Sequence, residues 1–335
     1  MVLADACFNI THSSFKENFE DILNESKKLG VDHFFCPAAE KKDIDEVIKF
    51  SSTFKEISCG IGIHPHHANE VDTELLIKLE TLINQEDIRA IGEIGLDYYR
   101  DFQQKITQQE SFEVQLKFAS DHKMPVFLHN REAFKDFYSI LKKYFSNLPG
   151  GIVHCFTGSK SELLSFLDLG LYIGITGWVC DERRGADLNS LLKFIPKDRL
   201  IIETDAPYLI PRNLKSKTKH NINTPMNCLI LQNILLMFVV KMLLKWLNIL
   251  LKILRIYLLC KSKILGNRYI ERNIAKKIAI PEKTPNNIVG LKFEKRKTRK
   301  PIIIVDPVIR IALPAERSVF FSSFSFKYLQ AKCIA

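Results

Sequence analysis

The chain has 335 residues, 46% of them hydrophobic, which is long enough for one large barrel or two ordinary domains and ample for a sizeable core. Its eight cysteines contain no Cys-x-x-Cys pair and its first residues lack the basic start of a secretory signal, so disulfide frameworks, zinc knuckles and secretion are set aside in favour of a reducing, intracellular setting, cytoplasm or nucleus. The net charge of +10 belongs to one end: residues 1–225 hold 27 Lys and Arg against 33 Asp and Glu, whereas residues 226–335 hold 21 against 5.

In chain order, short apolar runs rich in β-branched residues predict strands at Val2–Phe8, Asp32–Pro37, Ile57–Ile63, Arg89–Leu96, Pro125–His129, Gly151–Phe156, Leu171–Ile175 and Leu200–Glu203. Amphipathic stretches fill the gaps. In Lys105–His122, for example, Phe112, Leu116 and Ala119 recur at helical spacing. Eight strands alternating with helices predict parallel βαβ units and an α/β fold of the (β/α)8 TIM-barrel type, with an open doubly wound sheet as the alternative. No Gly-x-Gly-x-x-Gly or phosphate-loop motif is present, so no nucleotide cofactor is expected.

After Pro225 the composition changes. Leu229–Leu259 is dominated by Leu, Ile, Met and Val, and Lys241, Lys245, Asn248, Lys252 and Arg255 would form one stripe on a helix. The longest uncharged run, Met226–Val240, is too short and too polar for a confident membrane span. The basic run Lys292–Lys300 reads as a solvated or disordered segment.

In a parallel barrel the carboxyl ends of the strands converge on one face. Read in order, those ends carry Cys7 and Asn9, then His64, His66 and His67, then Glu93, His129, His154 and Asp205. One histidine at a strand end is ordinarily a hydrogen-bonded rim group, but six such ends supplying imidazole, carboxylate or another polar group point to a divalent metal site. Glu93 sits in Gly92-Glu93-Ile94-Gly95, where two glycines let backbones approach closely. Arg131 follows His129 and suits phosphate, or else closes the rim as a salt bridge. Cys155 reads as a packed thiol. Asp205, at the end of the last strand, can hold metal and also accept a proton from an attacking water.

Six stretches resemble the TatD family of metal-dependent deoxyribonucleases: Gly62–His66, Gly92–Tyr98, Pro125–Ala133, His154–Gly158, Tyr172–Trp178 and Glu203–Leu209. The Val179–Gly185 run points to the subgroup resembling the bacterial enzyme that gave the family its name. The resemblance spans residues 5 to 225 and implies a barrel hydrolase domain over 1–225, with 226–335 outside it. It implies metal ligation by Glu93, His129, His154 and Asp205, catalysis by Asp205 and Glu93, and substrate contacts from His64, His66 and Arg131. The implied cofactor is Mg2+, Mn2+ or Zn2+, one or two per chain. The implied partner is DNA, with RNA as a second candidate, and the reaction is phosphodiester hydrolysis from the 3′ end of single strands. Many relatives open with Asp-x-His-x-His, where this chain has Asp5-Ala6-Cys7-Phe8-Asn9, which favours one firmly held ion.

Two other functions stand beside this one: a related hydrolase of another phosphoester, ester or amide, and an inactive binding protein. Residues 226 onward, read two bases further on, back-translate with permissible codons to a segment similar to a family C-terminus. A change of reading frame there is therefore expected, with a genuine basic appendage as the rival.

Overall fold

A computed structural model describes residues 3–182, 185–214 and 222–261 of the chain. Eight strands, β1 (Leu3–Asp5), β2 (Val31–Pro37), β3 (Ile57–Ile61), β4 (Ile88–Asp97), β5 (Val126–Arg131), β6 (Gly151–Val153), β7 (Tyr172–Ile175) and β8 (Leu200–Ile202), pair in parallel in that order. Between them lie α1 (Phe19–Lys28), α2 (Asp43–Thr53), α3 (Thr73–Gln85), α4 (Lys105–Asp121), α5 (Phe134–Tyr144), α6 (Lys160–Asp168) and α7 (Ala186–Leu191). The (β/α)8 barrel expected from the sequence is the fold observed, and each expected strand falls on an observed one. Helices cover the outer face while side chains fill the interior, so a strand such as β4 is buried along nearly its whole length.

Two strands, β6 and β8, end earlier than their apolar runs at a functional group, whereas β4 and β5, which carry Glu93 and His129, run past theirs. β6 stops at Val153 because Cys155 takes a left-handed conformation (φ 46°), which turns His154 and Cys155 out of the strand. β8 stops at Ile202 and Asp205 is likewise left-handed (φ 55°). Beyond Asp5 the first segment stops pairing with β2 alone. Ala6 N donates to Ile202 O (3.2 Å), Asp205 N to Cys7 O (3.0 Å) and Asn9 N to Ala206 O (3.0 Å), which closes the barrel.

The seam of that closure is Asp5. Its buried carboxylate accepts hydrogen bonds from Thr204 N (2.8 Å), the Thr204 hydroxyl and Cys7 N (3.2 Å). Burial outweighs those bonds and lifts its pKa to about 7.

Helix α4 buries polar side chains as well as apolar ones. Gln108, Ser111 and Gln115 recur at helical spacing on a buried face. Gln115 Oε1 accepts from Ile63 N (2.7 Å) and its Nε2 donates to Ile63 O (3.1 Å), pinning the segment that leads into His64. Gln108 does the same for Asp97, accepting from Asp97 N (2.8 Å) and donating to Asp97 O (3.2 Å). The apolar periodicity identified this helix but not the clamps, because glutamine reads as a surface residue until its partners are known.

A further helix, α8 (Cys228–Lys261), follows the barrel. Cys228 and Leu231 are fully buried, and Ile234 and Leu235 pack against the barrel core. From Leu236 onward the described side chains Leu236, Met237, Val240, Leu244 and Leu247 are exposed, as is Lys252 of the expected basic stripe. Among the described residues no helix is long and apolar enough to cross a membrane. The expectations for residues 262–335, including the Lys292–Lys300 run, and for Arg183 and Arg184 lie outside the described residues.

Two outcomes are expected from these ties. A carboxyl whose folded pKa is raised contributes stability that is fully present below its unfolded value of 3.8 and is lost as pH rises through about 7. Asp5→Asn, which keeps most of the acceptor geometry without the charge, therefore unfolds at a higher denaturant concentration than wild type at pH 8, with the gap closing by pH 4. An equal gap at both pH values counts against burial as the cause. Separately, Gln115→Ala leaves two buried backbone groups at Ile63 unsatisfied, at about 1–3 kcal/mol, which urea titration measures.

Candidate active site

The carboxyl ends of the strands open into a cavity of about 1180 Å³, larger than the usual small-molecule pocket. Every site residue expected from the sequence lines it: His64, His66, Glu93, His129, Arg131, His154 and Asp205. Two glycines set the approach of β4 to β5. A Cβ on Gly92 (φ 150°) would meet Phe127 O at 2.3 Å, and one on Gly95 (φ 151°) would meet His129 O at 1.8 Å. Glu93 and His129 can therefore face each other only because those two positions carry no side chain.

Glu93 is the hub. Its Oε1 lies 2.7 Å from His129 Nδ1, 3.5 Å from His64 Nε2 and 3.8 Å from His154 Nε2. His154 Nε2 is also 3.8 Å from Asp205 Oδ1. The structure therefore places His64, expected at the substrate, inside the buried cluster beside Glu93 and His129. His66 is nearer the rim, its Nε2 2.8 Å from Asp97 Oδ2. Arg131 is at the rim as well, its guanidinium stacked 4.1 Å above the centre of the Tyr99 ring.

Behind the cluster stand two acids given no role from sequence. Glu203 is fully buried, with Oε2 3.0 Å from His154 Nδ1 and Oε1 accepting from Cys155 N. Asp97 accepts from Tyr99 N (3.0 Å) and Arg100 N (2.8 Å) and pairs with His66. Each orients an imidazole, as carboxylates behind metal-bound histidines do.

Charge and burial pull against each other throughout. Burial opposes charge on His154, but Glu203, Glu93 and Asp205 outweigh it and lift its pKa to about 10. Burial lowers His64 to about 4 against the pull of Glu93. Burial disfavours the Glu93 carboxylate, yet the surrounding imidazoles hold its pKa well below the usual range. Asp205 rises to about 6 through burial, opposed by His154 and reinforced by Glu93 and Glu203.

These residues fit a divalent cation. Imidazole and carboxylate are its donors; His64, Glu93 and His129 bring such atoms within 4.8 Å of one another, and His154 and Asp205 do so with the Cys7 thiol as the third member. Among the described residues the buried side-chain atoms without a hydrogen-bond partner are His129 Nε2 and Asn130 Oδ1, both at this mouth. His129 Nε2 lies 3.5 Å from Asp97 Oδ2 without hydrogen-bond geometry.

At the positions where many relatives carry histidines, Asn9 Nδ2 donates to Asp205 Oδ1 (3.0 Å) and to Ala206 O (3.1 Å), and Cys7 Sγ lies 3.7 Å from Asp205 Oδ1. An amide that donates cannot ligate through the same nitrogen. Burial, then the charge of Asp205, keeps Cys7 a thiol with a pKa well above its ordinary value.

The described residues of this barrel match known proteins closely. The model of the TatD related DNase family matches residues 4–237. The 3′-5′ ssDNA/RNA exonuclease TatD of Citrobacter koseri is 39% identical over 221 residues, covering 66% of this chain and 85% of the relative. Among solved structures, a TatD homologue of Escherichia coli K12 superposes with a TM-score of 0.64 at 26% identity, covering 70% of this chain and 90% of that one. A TatD-family hydrolase of Entamoeba histolytica gives 0.61 at 27%, covering 68% and 88%.

Glu93→Gln removes the charge at the hub while keeping its shape. Titration calorimetry with Mn2+ is expected to show affinity falling by at least tenfold, with the binding of a single-stranded oligonucleotide changing less. Unchanged Mn2+ affinity removes Glu93 from the ligand set.

Proposed function

The chain belongs to the TatD related DNase family, and from that membership together with the buried cluster at the barrel mouth we propose that it is a metal-dependent exonuclease that hydrolyses DNA phosphodiester bonds, working from the 3′ end of single strands. The observation that carries this reading is the convergence of His64, Glu93, His129, His154 and Asp205 on one locus at the floor of a cavity whose lining includes Arg131 stacked on Tyr99. The relative named 3′-5′ ssDNA/RNA exonuclease extends the candidate substrates to RNA. An intracellular compartment accompanies this reading. The catalytic unit is residues 1–225, since every residue assigned a role precedes Pro225, and the proposal leaves 226–335 outside the chemistry.

Glu93, His129, His154 and Asp205 would hold the ion, with His64 against Glu93, and Mg2+, Mn2+ and Zn2+ are all compatible with this nitrogen and oxygen donor set. One ion is favoured, because Asn9 caps the Asp205 oxygen that faces the first strand. When bound, a divalent cation lowers the pKa of water and offsets charge on phosphoryl oxygens. The protein does the rest. Asp205 accepts the proton as the water oxygen bonds to phosphorus and the bond from phosphorus to the leaving oxygen breaks. Asn9 fixes the rotamer of Asp205. Glu203 holds His154 with its Nε2 toward Glu93 and Asp205. Arg131, seated on Tyr99, offers a planar fork to the phosphate.

A 5′-labelled single-stranded oligonucleotide incubated with Mg2+ is expected to shorten stepwise from its 3′ end, and EDTA stops it. Asp205→Asn lowers the rate by about a hundredfold or more, in line with the loss of a general base, while its thermal unfolding midpoint stays near that of wild type. Wild-type rates in Asp205→Asn remove this residue from the mechanism, and an intact oligonucleotide with every metal overturns the nuclease reading.

A further inference from the structure

Aromatic rings open to solvent are concentrated at one place on this barrel. Among residues whose side chains are described, the exposed aromatics are Tyr99, Phe102, Tyr172 and Tyr208, and all but Tyr172 line the cavity over the cluster. Phe102 is 63% exposed and Tyr208 53%. Rings of this size favour burial, so gathering them at a cleft mouth indicates a flat apolar surface that covers them in the bound state.

Topology sets where they stand. Tyr99 and Phe102 follow β4, and Tyr208 follows β8. Because β8 closes on β1, β4 and β8 are four strands apart in an eight-stranded ring and occupy opposite sides of the mouth. Glu93, from β4, and Asp205, beyond β8, lie in the same cavity with the ring of each loop at its lip. Each ring is braced by an imidazole in an edge-on contact, Phe102 by His66 at 4.7 Å and Tyr208 by His12 at 5.6 Å between centroids. The third ring has another task, since the face of Tyr99 carries the Arg131 guanidinium. Lys16 and Arg100 line the cavity too, as do the acidic Glu40, Asp43 and Glu46.

We propose that Phe102 and Tyr208 form a two-sided nucleobase clamp, stacking on the bases to either side of the phosphate held at the Glu93–Asp205 cluster. The inference rests on the nuclease reading and deepens it by naming the feature of the substrate that the mouth selects. Paired bases are already stacked on one another and cannot lie on rings at opposite lips, whereas a single strand can splay its bases apart. Alternating cations and aromatic rings are the chemistry that grips such strands without reading their sequence.

The test uses the full chain in Mg2+ buffer and fluorescence anisotropy. The probe is a labelled single-stranded decanucleotide with phosphorothioate linkages that resist hydrolysis, beside the same strand with its 3′-terminal pair of nucleotides abasic. Phe102→Ala and Tyr208→Ala are each expected to raise Kd for the base-bearing strand about tenfold, and Phe102→Trp to restore most of the affinity. Wild type and both alanine variants should bind the abasic strand equally, because the partner of each ring is already gone. Tyr172→Ala, whose ring lies outside the cavity over Arg199, should match wild type. Equal Kd values for the base-bearing strand, a loss of the same size on the abasic strand, or no binding by wild type each overturn the clamp. Since no hydrolysis is read, ring-dependent binding by a chain that degrades nothing supports the clamp while refuting the nuclease reading, and degradation with ring-independent binding does the reverse.

Discussion

Two carboxylates at the barrel mouth, the buried Glu93 and the part-buried Asp205, are the constraint around which the rest of the site is arranged. Removing an ionised carboxylate from water costs several kcal/mol unless charge of the opposite sign is supplied nearby. Among the described residues, the ion pairs of Glu93 and Asp205 are all with histidines. An imidazole supplies that charge only by taking up a proton, which the acids around His154 favour and the burial of His64 resists. The partnerless His129 nitrogen beside these acids is a donor that a divalent ion would take up. Stability and chemistry thus ask the same thing of this site.

Keeping five such groups at fixed separations needs a stiff frame, and the barrel supplies it from behind. Glu203 and Asp97 occupy the outward nitrogens of His154 and His66, and Gln108 and Gln115 of α4 hold the backbone of Asp97 and Ile63. The left-handed residues Cys155 and Asp205 lie at the ends of the strands they terminate, each costing of order 1 kcal/mol or more in backbone strain. A turn that aims a ligand sideways across the mouth accounts for that cost in both cases.

The first strand is where fold and site meet. With Cys7 and Asn9 beyond β1, this end of the first segment offers a hydrogen-bond donor and a buried thiol to Asp205. Asp5, two residues earlier, does structural work at the seam, tying the first strand to Thr204. Closure of the barrel and orientation of Asp205 therefore run through the same few residues, and a change at this seam affects fold and site together.

Much of this was legible in one dimension. Eight apolar runs alternating with amphipathic stretches determined the barrel, because parallel strands covered on both faces must be apolar along their length. The convergence of His64, Glu93, His129, His154 and Asp205 followed from their place at strand ends, since a barrel brings those ends together whatever the details. The sequence did not assign Asp97, Glu203, Gln108 or Gln115, whose roles depend on partners 11 to 52 residues away in the chain. Nor did it place His64 inside the cluster and Phe102 and Tyr208 at the lips. Composition and periodicity report which face a residue presents. Only strand register, barrel closure and the turns after β4, β6 and β8 decide which side chains from different strands come within a few ångströms of each other, and those distances are what the chemistry depends on.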